Sequence, residues 1–211
     1  MDIGIIDYGV GNIKSVNNAF SKKHKKTFLL SSPNNIKFSD VLVLPGVGSF
    51  SSCKKILDQN GWSDSIREHV IIKKKPILGI CLGMHLLADT GTEGVKENSN
   101  IPGLGLIPGK VLNLKLLGCK NRLPQIGWNE IILKKKSYLF DGIKNKTNFY
   151  FVHSYTFVPK DDACIYAETS YDITYASIVG KDNIWGIQFH LEKSSKSGLK
   201  IIENFIKKFN A

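Results

Sequence analysis

The segment Gly79-Ile80-Cys81-Leu82-Gly83 sets a cysteine between two glycines at the end of an apolar run. A strand feeding directly into a helix at such a point forms a nucleophile elbow, where the reactive side chain sits on a tight turn and the small flanking residues let strand and helix approach. The first N–H groups of the helix and its positive dipole end favour a thiolate there. Taken alone, the pentapeptide fits a buried cysteine at a strand end equally well. A cysteine nucleophile also needs a base and a group to orient that base. Among five histidines, His190 follows the apolar run Ile184-Trp185-Gly186-Ile187-Gln188-Phe189 and precedes Leu191-Glu192. In an extended chain, positions two apart point the same way, so His190 and Glu192 are expected to face one site with the carboxylate orienting the imidazole. A surface histidine followed by a helix-entry glutamate would produce the same local sequence. His24 and His69 lie in lysine-rich or amphipathic stretches and are expected to be solvated.

The elements that must carry these residues alternate in type along the first half. Residues 3–6, 27–30, 41–44 and 76–80 read as strands, and the continuous apolar runs Val41-Leu42-Val43-Leu44 and Ile77-Leu78 suit parallel strands buried on both faces. Helices are expected over 12–23, about 52–74 and 82–88, with glycine-bearing loops at Asp7-Tyr8-Gly9-Val10-Gly11-Asn12 and Pro45-Gly46-Val47-Gly48. The second half is richer in strand, at 110–116, 128–133, 148–157, 163–168, 174–179 and 184–189. It closes on an amphipathic helix carrying Leu199, Ile202, Phe205, Ile206 and Phe209 on one face. This order predicts an α/β fold: one doubly wound, mostly parallel sheet with helices on both faces and added antiparallel strands, forming a single domain over residues 1–211.

With 211 residues, 42% of them hydrophobic, the chain can bury a sizeable core. The net charge of +11 comes from lysines scattered at element ends and turns, with Arg67 and Arg122 the only arginines. Nucleic-acid binding is therefore not expected. Neither a leader nor a membrane-length apolar run is evident, which predicts a cytoplasmic protein. The other cysteines, Cys53, Cys119 and Cys164, read as small buried hydrophobes in a reducing compartment; no metal or cofactor site is expected. Gly9-Val10-Gly11 resembles part of a dinucleotide loop, but Lys14 stands at its third glycine position.

Gly-Ile-Cys-Leu-Gly-Met at residues 79–84, followed far downstream by Gly-Ile-Gln-Phe-His-Leu-Glu-Lys-Ser at 186–194, resembles the class I, triad-type glutamine amidotransferases, which have a flavodoxin-like sheet. The similarity is greatest to the glutaminase subunits of imidazole glycerol phosphate synthase. It is carried also by residues 7–12, 44–50, Gly127-Trp128-Asn129 and Tyr150-Phe151-Val152-His153-Ser154-Tyr155, in order over nearly the whole chain. The resemblance implies Cys81 as nucleophile, His190 as base and Glu192 as its partner. It implies an oxyanion hole from the N–H groups of Leu82 and Val47, with glycines on both sides of Val47 letting that peptide flip, so that the hole is incomplete without a partner. Glutamine would be held by Gly46, Gly48, His85, His153, Ser154 and Tyr155. Ammonia loses its nucleophilicity when protonated in water, so the family passes it through a protected channel. The implied partner is a (β/α)8-barrel cyclase subunit in a heterodimer, docking near Asn12, Trp128 and Lys193.

Three positions depart from the family pattern. His85 replaces a glutamine, Leu191 replaces the proline of His-Pro-Glu and so predicts a less rigid turn, and Gln125-Ile126 replaces His-Met. These departures leave open a second reading, a paralogue supplying ammonia for amidated sugars of surface polysaccharide. A catalytically silent binding subunit is disfavoured by the presence of all three triad residues.

Overall fold

The computed structural model describes residues 1–96 and 99–210. The chain runs through β1 (Ile3–Ile6), α1 (Ile13–Ser21), β2 (Thr27–Leu30), β3 (Val41–Gly46), α2 (Phe50–Gln59), α3 (Trp62–Arg67), β4 (Ile77–Cys81), α4 (Leu82–Leu86), β5 (Thr90–Gly91), β6 (Ile101–Pro102), β7 (Gly109–Asn113), β8 (Gln125–Glu130), β9 (Ile132–Leu133), β10 (Asn148–His153), β11 (Tyr155–Pro159), β12 (Ile165–Tyr171), β13 (Ile173–Lys181), β14 (Ile184–Ile187) and α5 (Ser195–Phe209). The main sheet has eight strands in the order β2-β1-β3-β4-β14-β13-β12-β9. Neighbours from β2 to β14 are parallel, and β13, β12 and β9 extend the sheet antiparallel.

The parallel strands are buried because helices cover both faces. Ile3, Ile5, Val41, Val43 and Leu78 point towards α1 and α5, where they meet Val16, Phe20, Ile202 and Phe205. Ile6, Leu42, Leu44 and Ile77 point the other way, towards Phe50, Leu57, Trp62 and Ile66 of α2 and α3. The alternation of consecutive β-strand side chains between two apolar layers explains the unbroken hydrophobic runs. The doubly wound architecture with added antiparallel strands is the one the sequence predicts.

Several boundaries differ from the expectation. The helical stretch over 52–74 is broken at Asn60-Gly61, where Gly61 adopts φ +74°, outside the right-handed helical region. The extended run over 148–157 is two strands belonging to different sheets: β10 pairs with β8, and β11 pairs with β7. The chain changes sheet at Ser154, and no hydrophobic periodicity marks that corner. His69 is buried in a π-turn over Glu68–Ile72 rather than solvated, and neither ring nitrogen has a partner among the described residues. His24 is half-buried, with Nε2 2.7 Å from the Met1 carbonyl oxygen. Cys53, Cys119 and Cys164 are buried, as expected. Among the described residues no helix is long and apolar enough to cross a membrane.

Candidate active site

Cys81 ends β4 at the junction with α4, in the centre of the main sheet. Its φ of +54° and ψ of −113° lie in a region that non-glycine residues rarely occupy. The local sequence permits this elbow because two neighbours lack a Cβ. One on Gly79 would collide with the Gly83 carbonyl, and one on Gly83 would overlap the Leu44 carbonyl of β3. The thiol is thereby turned into a cavity, with Sγ 3.9 Å from the Val152 carbonyl oxygen.

His190 follows β14, the strand parallel to β4, so sheet register brings it beside the elbow. Its backbone N–H bonds the Tyr150 carbonyl at 2.9 Å, and the Ser194 hydroxyl donates to the His190 carbonyl at 2.6 Å while accepting the Tyr150 N–H at 3.0 Å. His190 Nδ1 lies 2.9 Å from Glu192 Oε1, and the two side chains are only 7% and 2% exposed. The contact arises differently from the extended pairing expected. His190 itself is extended, but Leu191–Lys193 form a 3-10 turn that swings the Glu192 carboxylate back under the ring. Leu191 opens this turn. Its side chain is buried, and the Ser194 N–H bonds its carbonyl at 3.2 Å.

Burial alone would lower the basicity of His190, but the hydrogen bonds and charges of Cys81 and Glu192 outweigh it and hold the ring well above the usual histidine range. That favours an imidazolium at His190.

A cavity of about 190 Å³ joins these groups. It is smaller than the roughly 300–1,000 Å³ of sites for drug-sized ligands and suits one small molecule. Val47, Gly48, Cys81, Leu82, His85, His153, Ser154, Tyr155, His190 and Lys193 line it. Gly46 and Asn12 do not; they border a much smaller neighbouring void, together with His190 and Glu192. Trp128 lies outside both. It is 54% exposed on β8 beside Ile126, which is 63% exposed. Trp128 packs edge-on against Tyr150, over whose ring Lys193 Nζ sits at 5.6 Å.

Glu93 also lines the cavity, and the sequence reading missed it. Its carboxylate accepts the Phe50 N–H at the start of α2 at 2.9 Å, and burial raises its proton affinity. A glutamate in a loop of Thr, Gly and Val carries no periodicity or motif that would single it out. His85 is buried. Its Nε2 lies 2.7 Å from Gln188 Oε1, and its Nδ1 has no partner among the described residues. His153 has both ring nitrogens engaged, with Nδ1 2.8 Å from the Tyr155 carbonyl oxygen and Nε2 3.1 Å from the Tyr175 hydroxyl. Its imidazole is therefore committed to the protein.

The sequence profile of the family described as "Glutamine amidotransferase class-I" matches residues 5–209. The chain belongs to the class I glutamine amidotransferases. Relatives include the imidazole glycerol phosphate synthase subunit HisH of Pelagibacter ubique, 47% identical over 98% of this chain and 99% of that protein. Subunit HisH 2 of Methanococcus maripaludis is 42% identical, covering 97% and 98%. Solved structures with the same fold include one titled as a glutamine amidotransferase, with a TM-score of 0.75 at 16% identity over the whole of both chains. The structure of PurLQS from Thermotoga maritima gives a TM-score of 0.75 at 15% identity, covering 98% of each chain.

This amidotransferase's buried histidines set an expected pH dependence of stability. Burial is the leading cause that lowers all three, His69 and His85 to about 4 and His153 to about 3, from an ordinary 6.5. Between those values the unfolded chain binds more protons than the folded one, so stability falls as pH falls. Each imidazole costs on the order of 3 kcal/mol across its full window. His190 acts with the opposite sign: its raised proton affinity adds stability that is fully present below 6.5 and lost as pH rises through its folded value. The urea midpoint should therefore drop steadily from pH 6.5 towards 4. A midpoint unchanged over that range would contradict the buried, neutral assignment.

Proposed function

We propose that this amidotransferase, acting as one domain over residues 1–211, is the glutaminase subunit of imidazole glycerol phosphate synthase. It would hydrolyse glutamine and pass the ammonia to a (β/α)8-barrel cyclase that makes imidazole glycerol phosphate and AICAR in histidine biosynthesis. The observation that carries this reading is the meeting of Cys81, on its strained elbow, with a carboxylate-held His190 in one small cavity. Full-length similarity to HisH subunits supports the histidine pathway over an amidated-sugar role.

The Cys81 thiolate attacks the side-chain carboxamide carbon of glutamine. The N–H groups of Leu82 and Val47 stabilise the oxyanion that forms. The His190 imidazolium protonates the departing nitrogen as the C–N bond breaks, which leaves ammonia, a glutamyl thioester and a neutral imidazole. His190 then takes a proton from water, whose oxygen attacks the thioester. Collapse of the second intermediate releases glutamate and restores the thiolate–imidazolium pair. Glu192 holds Nδ1 and balances the imidazolium charge. Among the described residues Glu93 is the one that brings a carboxylate to the cavity lining, and it suits the α-ammonium group of the substrate, while the His85 ring and the backbone of Gly48, Ser154 and Tyr155 contact the rest.

The cyclase docks on the surface bearing Asn12, Trp128 and Lys193 and completes the oxyanion hole around Val47. The chain and its partner work in the cytoplasm. The test is to recover the partner from the native cell and assay the pair with glutamine or with ammonium. Glutamine hydrolysis stimulated by the cyclase and its nucleotide substrate is the expected result. Recovery of a sugar-amidating synthase, with no response to the cyclase, would overturn the pathway assignment.

A further inference from the structure

We infer that Tyr175, held by Gln125, is a positioning residue that locks His153 in its Nδ1–H form and thereby sets the Ser154-Tyr155 corner of the glutamine pocket. The inference rests on the reading of the cavity as the glutamine site. All three side chains are buried, and they come from three strands: Gln125 from β8, His153 from β10 and Tyr175 from β13. His153 and Gln125 are direct partners in the β8–β10 ladder.

The protons determine the direction of the chain. His153 Nδ1 lies 2.8 Å from the Tyr155 carbonyl oxygen. A carbonyl only accepts, so Nδ1 carries the ring proton. Burial holds the imidazole neutral, down at about 3. Nε2 is then a bare lone pair, and the atom facing it at 3.1 Å is the Tyr175 hydroxyl. The phenol has one proton and also lies 2.7 Å from the Gln125 side-chain oxygen. If it donates to that oxygen, His153 Nε2 is left facing oxygen lone pairs. Turning the Gln125 carboxamide over exchanges its oxygen and nitrogen without other movement. The amide N–H then donates to the phenol, the phenol donates to Nε2, and Nδ1–H donates to the Tyr155 carbonyl. With the imidazole neutral, both His153 ring nitrogens, the Tyr175 phenol and the Tyr155 carbonyl are all paired in that arrangement alone.

The final bond acts where position matters. Between His153 and Tyr155 the backbone leaves one sheet and enters another, with Ser154 at the corner. The Ser154 carbonyl is held by the Leu114 N–H at 2.9 Å, and the His153 ring clips the next carbonyl. Ser154 and Tyr155 both line the cavity, so the clip sets the backbone against which glutamine lies. Neither Tyr175 nor Gln125 lines the cavity, and both act through His153.

Two measurements test this in the complex with the cyclase. In ¹⁵N imidazole spectra of the wild-type protein, His153 is expected as the Nδ1–H tautomer. In Tyr175→Phe the glutamine KM is expected to rise roughly three- to tenfold, the effect of losing one neutral hydrogen bond, with kcat at saturation within about twofold. The His153 signal should move towards a mixture of tautomers. An Nε2–H tautomer in the wild type, or an unchanged KM in a folded Tyr175→Phe variant, would overturn the inference. The wild-type spectrum decides the matter even if the variant fails to fold. Absence of glutaminase activity in the wild-type complex would instead refute the reading of the site, while the spectrum would still report on the relay.

Discussion

Cys81→Ala is expected to lower glutamine-dependent turnover of the complex by roughly 10³- to 10⁶-fold, while ammonium-dependent synthesis by the partner stays within about twofold. The size follows from the chemistry, because no other group can form the thioester. The remaining cysteines are turned elsewhere. The Cys53 thiol points at the Val47 carbonyl at 3.4 Å, and the Cys119 thiol points at the Tyr171 carbonyl at 3.5 Å. Burial raises the proton affinity of Cys53 and Cys164, so both favour the unreactive thiol. None of the three lines the cavity. Parallel assays with glutamine and ammonium separate loss of chemistry from loss of docking. Equal loss in both assays would point to misfolding or a failed interface.

Glu192→Gln is expected to reduce kcat by roughly 10²- to 10⁴-fold with little change in KM. The amide matches the carboxylate in shape but carries no charge, and it can present N–H to Nδ1 as readily as oxygen. The 2.9 Å contact that fixes the His190 tautomer is then no longer enforced. The imidazolium also loses part of what raises it, since Glu192 contributes both a hydrogen bond and a charge. His190 should therefore give up its proton at lower pH. The alkaline limb of the rate profile, where the proton for departing ammonia is lost, should move down, and the acid limb should stay. A profile of unchanged shape with normal kcat would show that Glu192 does not orient the base.

The parallel half of the fold was legible because burial on both faces leaves unbroken apolar runs, as at Val41-Leu42-Val43-Leu44. The elbow was legible because its sterics demand glycine at 79 and 83. The pairing of His190 with Glu192 was found for a partly wrong reason: their spacing suits an extended chain, and a 3-10 turn brings them together instead. Features set by tertiary context escaped. The switch at Ser154 depends on which sheet each half joins, and the sequence on either side is equally strand-like. His69 sits in an amphipathic stretch that suggests solvent, yet the π-turn rotates it inward. Glu93 reaches the cavity only because the loop after β5 folds over the start of α2.

Labelling the complex with a glutamine-shaped electrophile, such as a γ-diazoketone analogue, and locating the adduct by peptide mass spectrometry tests the central claim most directly. One adduct on the peptide carrying Cys81, blocked by excess glutamine and accompanied by loss of glutaminase activity, is the predicted result. Labelling of Cys53, Cys119 or Cys164 with Cys81 unmodified, or full inactivation with no adduct on Cys81, would contradict it.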